Sequence, residues 1–273
     1  MPILTMSSDI GQRDYIVGAI KGQFLQLQPE LNLVDITHYL SQTNYPLAAY
    51  TCNSAFKHFP AGTYHLILIN VFESDKDYFL IAQHNNQYII CPDNGLITMI
   101  TGVKPAKMVK VPVSRNSNLL NITADLAAAI YKLDDYQNLT AVGELATEFV
   151  EKYPLRPTVG PNWIEGQVIF IDHFENVVVN ITEKDFEEHR KGRQFKIMFQ
   201  RNEVIESLSG NYTGVNEHDK VAWFNSAGFL EIAIRNGNMA GLFGFQGYDE
   251  QLQPNASAAG NKWFYQTIRI FFE

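Results

Sequence analysis

Cysteine is nearly absent. Cys52 and Cys91 are the only two in 273 residues, too few for a disulfide framework. The opening Met-Pro-Ile-Leu-Thr-Met has neither the basic region nor the long apolar core of a secretion signal, so a cytoplasmic protein is expected. Basic charge is also scarce: 21 Lys and Arg stand against 29 Asp and Glu, for a net charge of -8. Nothing concentrates cations as phosphate binding requires, and nucleic acid is excluded as an expected partner. Long apolar runs are missing too, the longest being strand-sized against the roughly 18–20 residues of a membrane span. No membrane partner is expected, and Asn-X-Ser/Thr triplets such as Asn138-Leu-Thr140 are chance matches. His38, His58, His65 and His84 have no metal-ligand spacing with Cys or carboxylates, so structural roles and no metal are expected. No Ser stands in a Gly-x-Ser-x-Gly frame, and no internal repeat or low-complexity tract is evident.

What the chain does have is a 46% hydrophobic content, enough for a real core. Residues 2–6 read as a strand. A helix follows over 14–27, where Ile16, Val17, Ile20, Phe24 and Leu27 recur at helical spacing before Pro29. Residues 31–36 read as a second strand and 44–56 as a helix with Pro46 in its first turn. Further strands are expected over 65–70, 78–84 and 88–91, the last running into the turn Pro92-Asp93-Asn94-Gly95. Helices over 123–133 and 142–153 complete an α/β unit with a mostly parallel sheet over 1–153. A stiff Pro-rich linker is expected over 154–163. Short strands over 166–172, 177–181, 194–199, 221–224, 229–234 and 262–272, with one charged helix over 183–191, predict a smaller β-barrel or sandwich over 164–273. In an open α/β sheet ligands meet the carboxyl ends of strands, which directs attention to Asn70–Asp77.

Several stretches together resemble one family. They are Ser8-Asp9-Ile10-Gly11 with Asp14-Tyr15-Ile-Val-Gly18 and Lys21-Gly22, Val34-Asp35-Ile-Thr-His38, and Pro92-Asp93-Asn94-Gly95-Leu-Ile-Thr98. In the second half they are residues 166–181, from Gly166 through Asp172-His-Phe-Glu-Asn176 to Ile181, and Asn225-Ser226-Ala-Gly228-Phe-Leu-Glu-Ile-Ala233. The family is that of the S-adenosyl-L-methionine hydroxide adenosyltransferases, relatives of fluorinases and chlorinases. The resemblance implies S-adenosylmethionine or adenosine as ligand, no separate cofactor, and water displacing methionine at the ribose C5′. It further implies a homotrimer, each site being built in the family between the first unit of one subunit and the second unit of a neighbour.

The resemblance assigns Asp9 to the ribose diol, although an Asp there also suits a helix cap. It assigns Asp172 and Ser226 to the methionine end and Asn176 to the adenine edge, while Asn176 and Ser226 equally suit turns. Phe174, Trp223 or Phe224 could stack on the base, core packing being the expected role of any one aromatic. The match breaks at the catalytic positions. Where family hydrolases carry Asp-Pro-Gly-Val-Gly-Thr followed by Arg, this chain has Asn70 for the Asp and Asp77 for the Arg. The family His has no counterpart near Asn118-Leu-Leu-Asn-Ile122, Asn44 replaces an acidic residue, and Ala227 stands where some members have Arg. Lys76 and Glu73 could together form a replacement pair, with solvated loop charges the expected reading. Asp134, Asp135, Glu187 and Glu188 are expected to be solvated. An amide cannot act as a general base, so the expectation is weak or absent hydrolysis. The alternatives are an inactive S-adenosylmethionine or adenosine binder and, disfavoured by the acidic loop, a halogenase-like enzyme.

Overall fold

Strict two-residue alternation of branched side chains lets one strand face two cores, and Leu66 and Leu68 pack on one side of a sheet while Ile67 and Ile69 pack on the other. The structure is a computed structural model that describes residues 2–73, 75–114, 118–245 and 266–273. The chain divides into two compact units, Met1–Pro154 and Leu155–Glu273.

The first unit runs β1 (Ile3–Ser8), α1 (Ile16–Leu27), β2 (Asn32–Thr37), α2 (Tyr45–Phe56), β3 (Tyr64–Leu68), β4 (Tyr78–His84) and β5 (Gln87–Pro92). It continues through α3 (Leu96–Thr101), β6 (Lys107–Pro112), α4 (Leu119–Tyr136) and the short β7 (Glu144–Leu145). The seven strands form one sheet in the order β2-β1-β3-β5-β4-β6-β7. Helices α1 and α4 cover one face, with Ile20, Phe24, Leu126 and Ile130 buried against it. Helices α2 and α3 cover the other with Ala48, Cys52, Phe56 and Ile97. Both ends of the polar inventory support this: Asn44 caps α2 by accepting from the Leu47 N–H at 3.1 Å, and Asn118 caps α4 by accepting from Asn121 N–H at 3.1 Å.

The sheet is mixed, not mostly parallel. The pairs β1–β2, β1–β3 and β3–β5 are parallel, whereas β4–β5, β4–β6 and β6–β7 are antiparallel. For β4 the cause is the Asn85-Asn86 turn, both residues in the left-handed region at φ 50° and 59°. Such a two-residue hairpin can only return the chain antiparallel, since a parallel return needs a crossover of about a dozen residues or more. The helix expected over 142–153 does not form either. Gly143 lies so close to the Lys110 carbonyl that any side chain there would collide with it. Beyond it, Val150 N–H donates to Asp93 at 2.7 Å and Lys152 N–H to Thr98 Oγ1 at 2.9 Å, so these backbone donors serve the core of the unit instead of a helix. Helix α4 starts and ends beyond the span expected for it, and α3 and β6 were not anticipated.

The second unit contains β8 (Thr158–Gly160), β9 (Trp163–Ile171), β10 (Val177–Thr182), α5 (Glu183–Arg190), β11 (Phe195–Gln200) and β12 (Glu203–Ile205). It ends with β13 (Lys220–Phe224), β14 (Phe229–Ile234), α6 (Met239–Phe243) and β15 (Thr267–Phe272). The order β12-β11-β15-β9-β10-β14-β13, with β8 on β9, brings the two end strands near each other, so the sheet nearly closes into a barrel. Ile164, Val177, Val179, Phe186, Ile232 and Ile270 fill it. A reciprocal Thr182–Asp185 capping box starts α5, the charged helix expected from sequence. Residues 262–265 of the last expected strand lie outside the described residues, as does Ser74 of the loop after β3.

Candidate ligand site

Because β1, β2 and β3 are parallel neighbours, their carboxyl ends open side by side and their following loops interlock. Leu40 N–H donates to Ser8 O at 3.0 Å, Gly11 N–H to His38 O at 2.6 Å, and Asp9 N–H to Leu68 O at 3.2 Å. The Asp9 carboxylate accepts from the Asn70 N–H at 2.8 Å. Asp9 therefore ties β1 to the loop after β3 and does not cap α1, whose N-cap is Tyr15 and whose first turn is met by Asp14 accepting from Ile16 N–H at 2.9 Å. Three aromatic rings stand exposed on the three loops around it: Tyr15 at 72%, Tyr39 at 68% and Phe72 at 57%. Exposed apolar rings grouped at strand ends mark a contact surface, and sequence reasoning gave them no role.

Behind this rim, the Ser8 hydroxyl and His38 Nδ1 share a hydrogen bond of 2.8 Å, His38 Nε2 lies 3.1 Å from Asp35, and Lys21 meets Asp35 at 2.5 Å. Burial pushes the Asp35 carboxyl up, but Lys21 and His38 outweigh it and hold the pKa below its usual value. The order Ser–His–Asp is that of a hydrolase nucleophile. Ser8 and His38 are buried, however, so the chain of bonds staples β1 to the loop after β2, as the structural reading of His38 expects. The two thiols are no better placed: both are fully buried, and burial pushes Cys52 up to about 12.

The loop after β3 is anchored at several points, although Phe72, Glu73, Asp75 and Asp77 are exposed. Asn70 takes the left-handed conformation at φ 51° and its carbonyl accepts from Glu73 N–H at 3.2 Å. The Tyr45 hydroxyl donates to Glu73 Oε2 at 2.9 Å. Lys76 meets the buried Asp93 carboxylate at 2.5 Å and the Asp93 carbonyl at 3.1 Å, and the same carboxylate accepts from the Tyr78 hydroxyl at 2.8 Å. Asn94 secures the strand end by donating to Ile69 O at 3.1 Å. Lys152 lies across Gly95, where a Cβ would approach its Cγ to 2.6 Å, and sets its ammonium 4.1 Å from the centroid of the Tyr45 ring. Gly95 itself has φ 98°, so that position requires glycine on two counts. Asp77 is exposed, its backbone carbonyl accepting from Val113 N–H at 2.8 Å. Asn118 is engaged as the cap of α4.

In the second unit, Asp172 organises the β9–β10 turn. Its Oδ1 accepts from the Phe174 and Asn176 N–H groups at 2.9 and 2.8 Å, and its Oδ2 from the Asn176 side chain at 3.0 Å. Asn176 is buried, and its Oδ1 has no hydrogen-bond partner among the described residues. Phe174 is 72% exposed, against the core role expected of an aromatic, whereas Phe224 packs on Phe186 in the barrel core and Trp223 stands edge-on to Tyr212. Ser226 is exposed at the β13–β14 turn. Since β10 and β14 are antiparallel, that turn adjoins the far end of β10, where Glu183 N–H donates to Gly228 O at 3.0 Å. The structure thus joins Asp172, Phe174 and Asn176 directly and sets Ser226 apart from them.

Glu231 bridges the gap and was missed. It accepts from Asn225 Nδ2 at 2.9 Å and is buried, and burial first, then the nearby Asp172 charge, raise its pKa against the pull of Asn225 and Asn176. A lone carboxylate inside Phe-Leu-Glu-Ile-Ala-Ile was the available signal. Among the described residues no three His, Cys, Asp or Glu side chains are grouped to hold a metal, and no helix is long and apolar enough to cross a membrane.

Comparison with known proteins agrees with the motif resemblance. Residues 4–143 match the model of the SAM hydroxide adenosyltransferase N-terminal domain and residues 166–251 that of its C-terminal domain. The chain is 24% identical over 261 residues to the (R)-S-adenosyl-L-methionine hydrolase of Methanocaldococcus jannaschii, covering 92% of this chain and 95% of that one. To the protein of the same name from Thermus thermophilus it is 25% identical over 253 residues, covering 88% and 94%. Its fold is similar to that of a solved uncharacterized conserved protein from Thermotoga maritima, with a TM-score of 0.79 at 20% identity over 99% of this chain. With both of the family's domain models matched in order along the chain, the protein belongs to the SAM hydroxide adenosyltransferase family.

Proposed function

We propose that this protein binds S-adenosyl-L-methionine and hydrolyses it to adenosine and methionine slowly. The observation that carries the binding half is Asp9, a carboxylate fixed by the Asn70 N–H at the carboxyl end of β1 among the exposed rings of Tyr15, Tyr39 and Phe72. A ribose diol suits a fixed carboxylate, and an apolar rim suits a nucleoside. The exposed carboxylate of Asp77 favours a cationic sulfonium ligand over a neutral nucleoside. In the second unit, Asp172 and Ser226 are proposed for the amino and carboxylate groups of methionine, with Asn176 and Phe174 at the base. Asn70 in place of the family's Asp, and Asp77 in place of its Arg, support the slow rate: both positions have lost the ionised group the resemblance assigns to them, and well-placed general acid–base help is worth ~10²–10⁴ in rate. The same reading includes a homotrimer.

The test is incubation of the purified protein with S-adenosylmethionine, with and without chloride, following adenosine, methionine and chlorinated nucleoside by mass spectrometry beside calorimetry for binding. Slow adenosine release with measurable affinity is expected. Binding with no product would make the protein an adenosyl-compound binder, a chloride-dependent nucleoside would make it a halogenase, and absence of binding would remove all three. Light scattering at three times the chain mass is the expected result for assembly.

A further inference from the structure

Glu73 has the features of a working carboxylate, although it stands in a loop that reads as solvated. It lies three residues beyond Asn70 and its N–H closes the turn on the Asn70 carbonyl at 3.2 Å, so backbone geometry couples the two positions. The side chain is exposed yet held, because the Tyr45 hydroxyl donates to Oε2 at 2.9 Å. Tyr45 is a rigid donor: it is buried, its ring carries the Lys152 ammonium at 4.1 Å, and burial, followed by Glu73 itself, drives its pKa upward so that the phenol keeps its proton. The nearest cation in the loop is committed elsewhere, since Lys76 is bound to the carboxylate and carbonyl of Asp93. Glu73 therefore has one oxygen oriented by a neutral donor and no ion pair to any described residue. That is the environment of a base, and an ion-paired carboxylate would be a poorer one.

We infer that Glu73 accepts the proton of the attacking water, the task that the Asn70 amide cannot perform. The inference rests on the reading that the chain hydrolyses S-adenosylmethionine. Water oxygen forms a bond to the ribose C5′ as the C5′–S bond breaks. Its electron pair goes to sulfur, which leaves as the neutral thioether of methionine, and the water proton goes to Glu73. Adenosine carries the new 5′ hydroxyl. Tyr45 acts as a positioning residue, setting the carboxylate through Oε2.

The experiment compares wild type with E73Q, E73D, Y45F and D75N, measuring adenosine release under saturating ligand and affinity by calorimetry. E73Q is expected to lower kcat by about 10²-fold or more with Kd within about twofold. E73D should recover part of the rate, Y45F should lose less than E73Q, and D75N, which removes the same charge from the same loop, should stay within about twofold. Small carboxylates such as formate should restore turnover to E73A. An E73Q rate equal to wild type overturns the assignment while leaving the hydrolase reading intact, and equal losses in E73Q and D75N reduce Glu73 to a field effect. A wild type that binds the ligand but releases no adenosine ends the hydrolase reading and the assignment with it, whereas failure of binding would show as loss of Kd.

Discussion

Replacing Lys76 by Met tests whether the loop after β3 is held by one buried ion pair. The Asp93 side chain is fully buried and that of Lys76 is 30% exposed, with Nζ and Oδ2 2.5 Å apart. Removing the cation leaves a buried carboxylate with only the Tyr78 hydroxyl at 2.8 Å and the Val150 N–H at 2.7 Å. Breaking a buried pair costs about 3–5 kcal/mol, and the partial exposure of Lys76 admits water that offsets some of this, so about 2–3 kcal/mol is expected. For a unit of this size each kcal/mol moves Tm by about 2–4 °C, which predicts a fall of roughly 4–12 °C. The double variant K76M/D93N replaces charge by an amide that still accepts from Val150, and should recover about half of the loss. Calorimetry on the full chain, reading the transition of the first unit, measures both. A K76M transition within about 1 °C of wild type, or a K76M/D93N loss greater than that of K76M, would refute the picture of a buried, coupled pair.

His65 is buried on β3 of the first unit's sheet, its Nδ1 sharing a 2.7 Å hydrogen bond with the Thr5 hydroxyl and its ring stacked 3.7 Å from Phe56, and burial lowers its pKa to about 4. The unfolded chain binds this proton near pH 6.5 and the folded chain does not, so stability present above pH 6.5 declines by about 3 kcal/mol as pH falls to 4; urea melts of H65Q should lack that part of the slope, and an unchanged slope would clear His65. Glu231 has its pKa raised chiefly by burial, so its charge is a cost that grows as pH rises, and E231Q should stabilise by about 1 kcal/mol at pH 8 and by less at pH 5; destabilisation at pH 8 would show that the charge itself is used. Asp9→Ala strands the Asn70 N–H and should weaken adenosyl binding about tenfold or more by calorimetry, as should Asp172→Ala; unchanged affinity would remove either residue from the site.

Element type was legible wherever local pattern and tertiary demand agreed. The α1 run carries helical spacing and stops before Pro29, α2 has Pro46 in its first turn, and α5 stands out as a short charged run. The sheet's direction was not, because it turns in large part on two residues: Asn85 and Asn86 can enter the left-handed region, and that sets β4 antiparallel to both of its neighbours. The stretch 142–153 was misread for the opposite reason. Its composition suits a helix, but the close approach of Gly143 to β6 and the demands of Asp93 and Thr98 for donors override local preference.

The site divides along the same line. Motifs identified Asp9, Asp172, Asn176 and Ser226 as residue types at positions, and two of these, Asp172 and Asn176, turn out to make local turn bonds of the kind their spacing allows, while Asp9 bonds Asn70 across the fold. Partnerships that cross the fold had no local signature. Tyr45 and Glu73 are 28 residues apart, and Lys76 and Asp93 are 17 apart. Read as a string, 70–77 is a catalytic loop with its acid changed to an amide and loose charges after it. In three dimensions the charges are sorted: Lys76 is drawn into a buried pair and Glu73 is held out on a phenol. Lys76 goes to the buried Asp93 because a buried carboxylate needs the cation more than the exposed Glu73 does, and this leaves Glu73 to the phenol. The loss of the acid at Asn70 therefore does not by itself imply loss of the chemistry. A carboxylate three residues on, fixed through a tyrosine from α2, keeps a base within the same loop, and the slow hydrolysis proposed here is the rate such a displaced base would support.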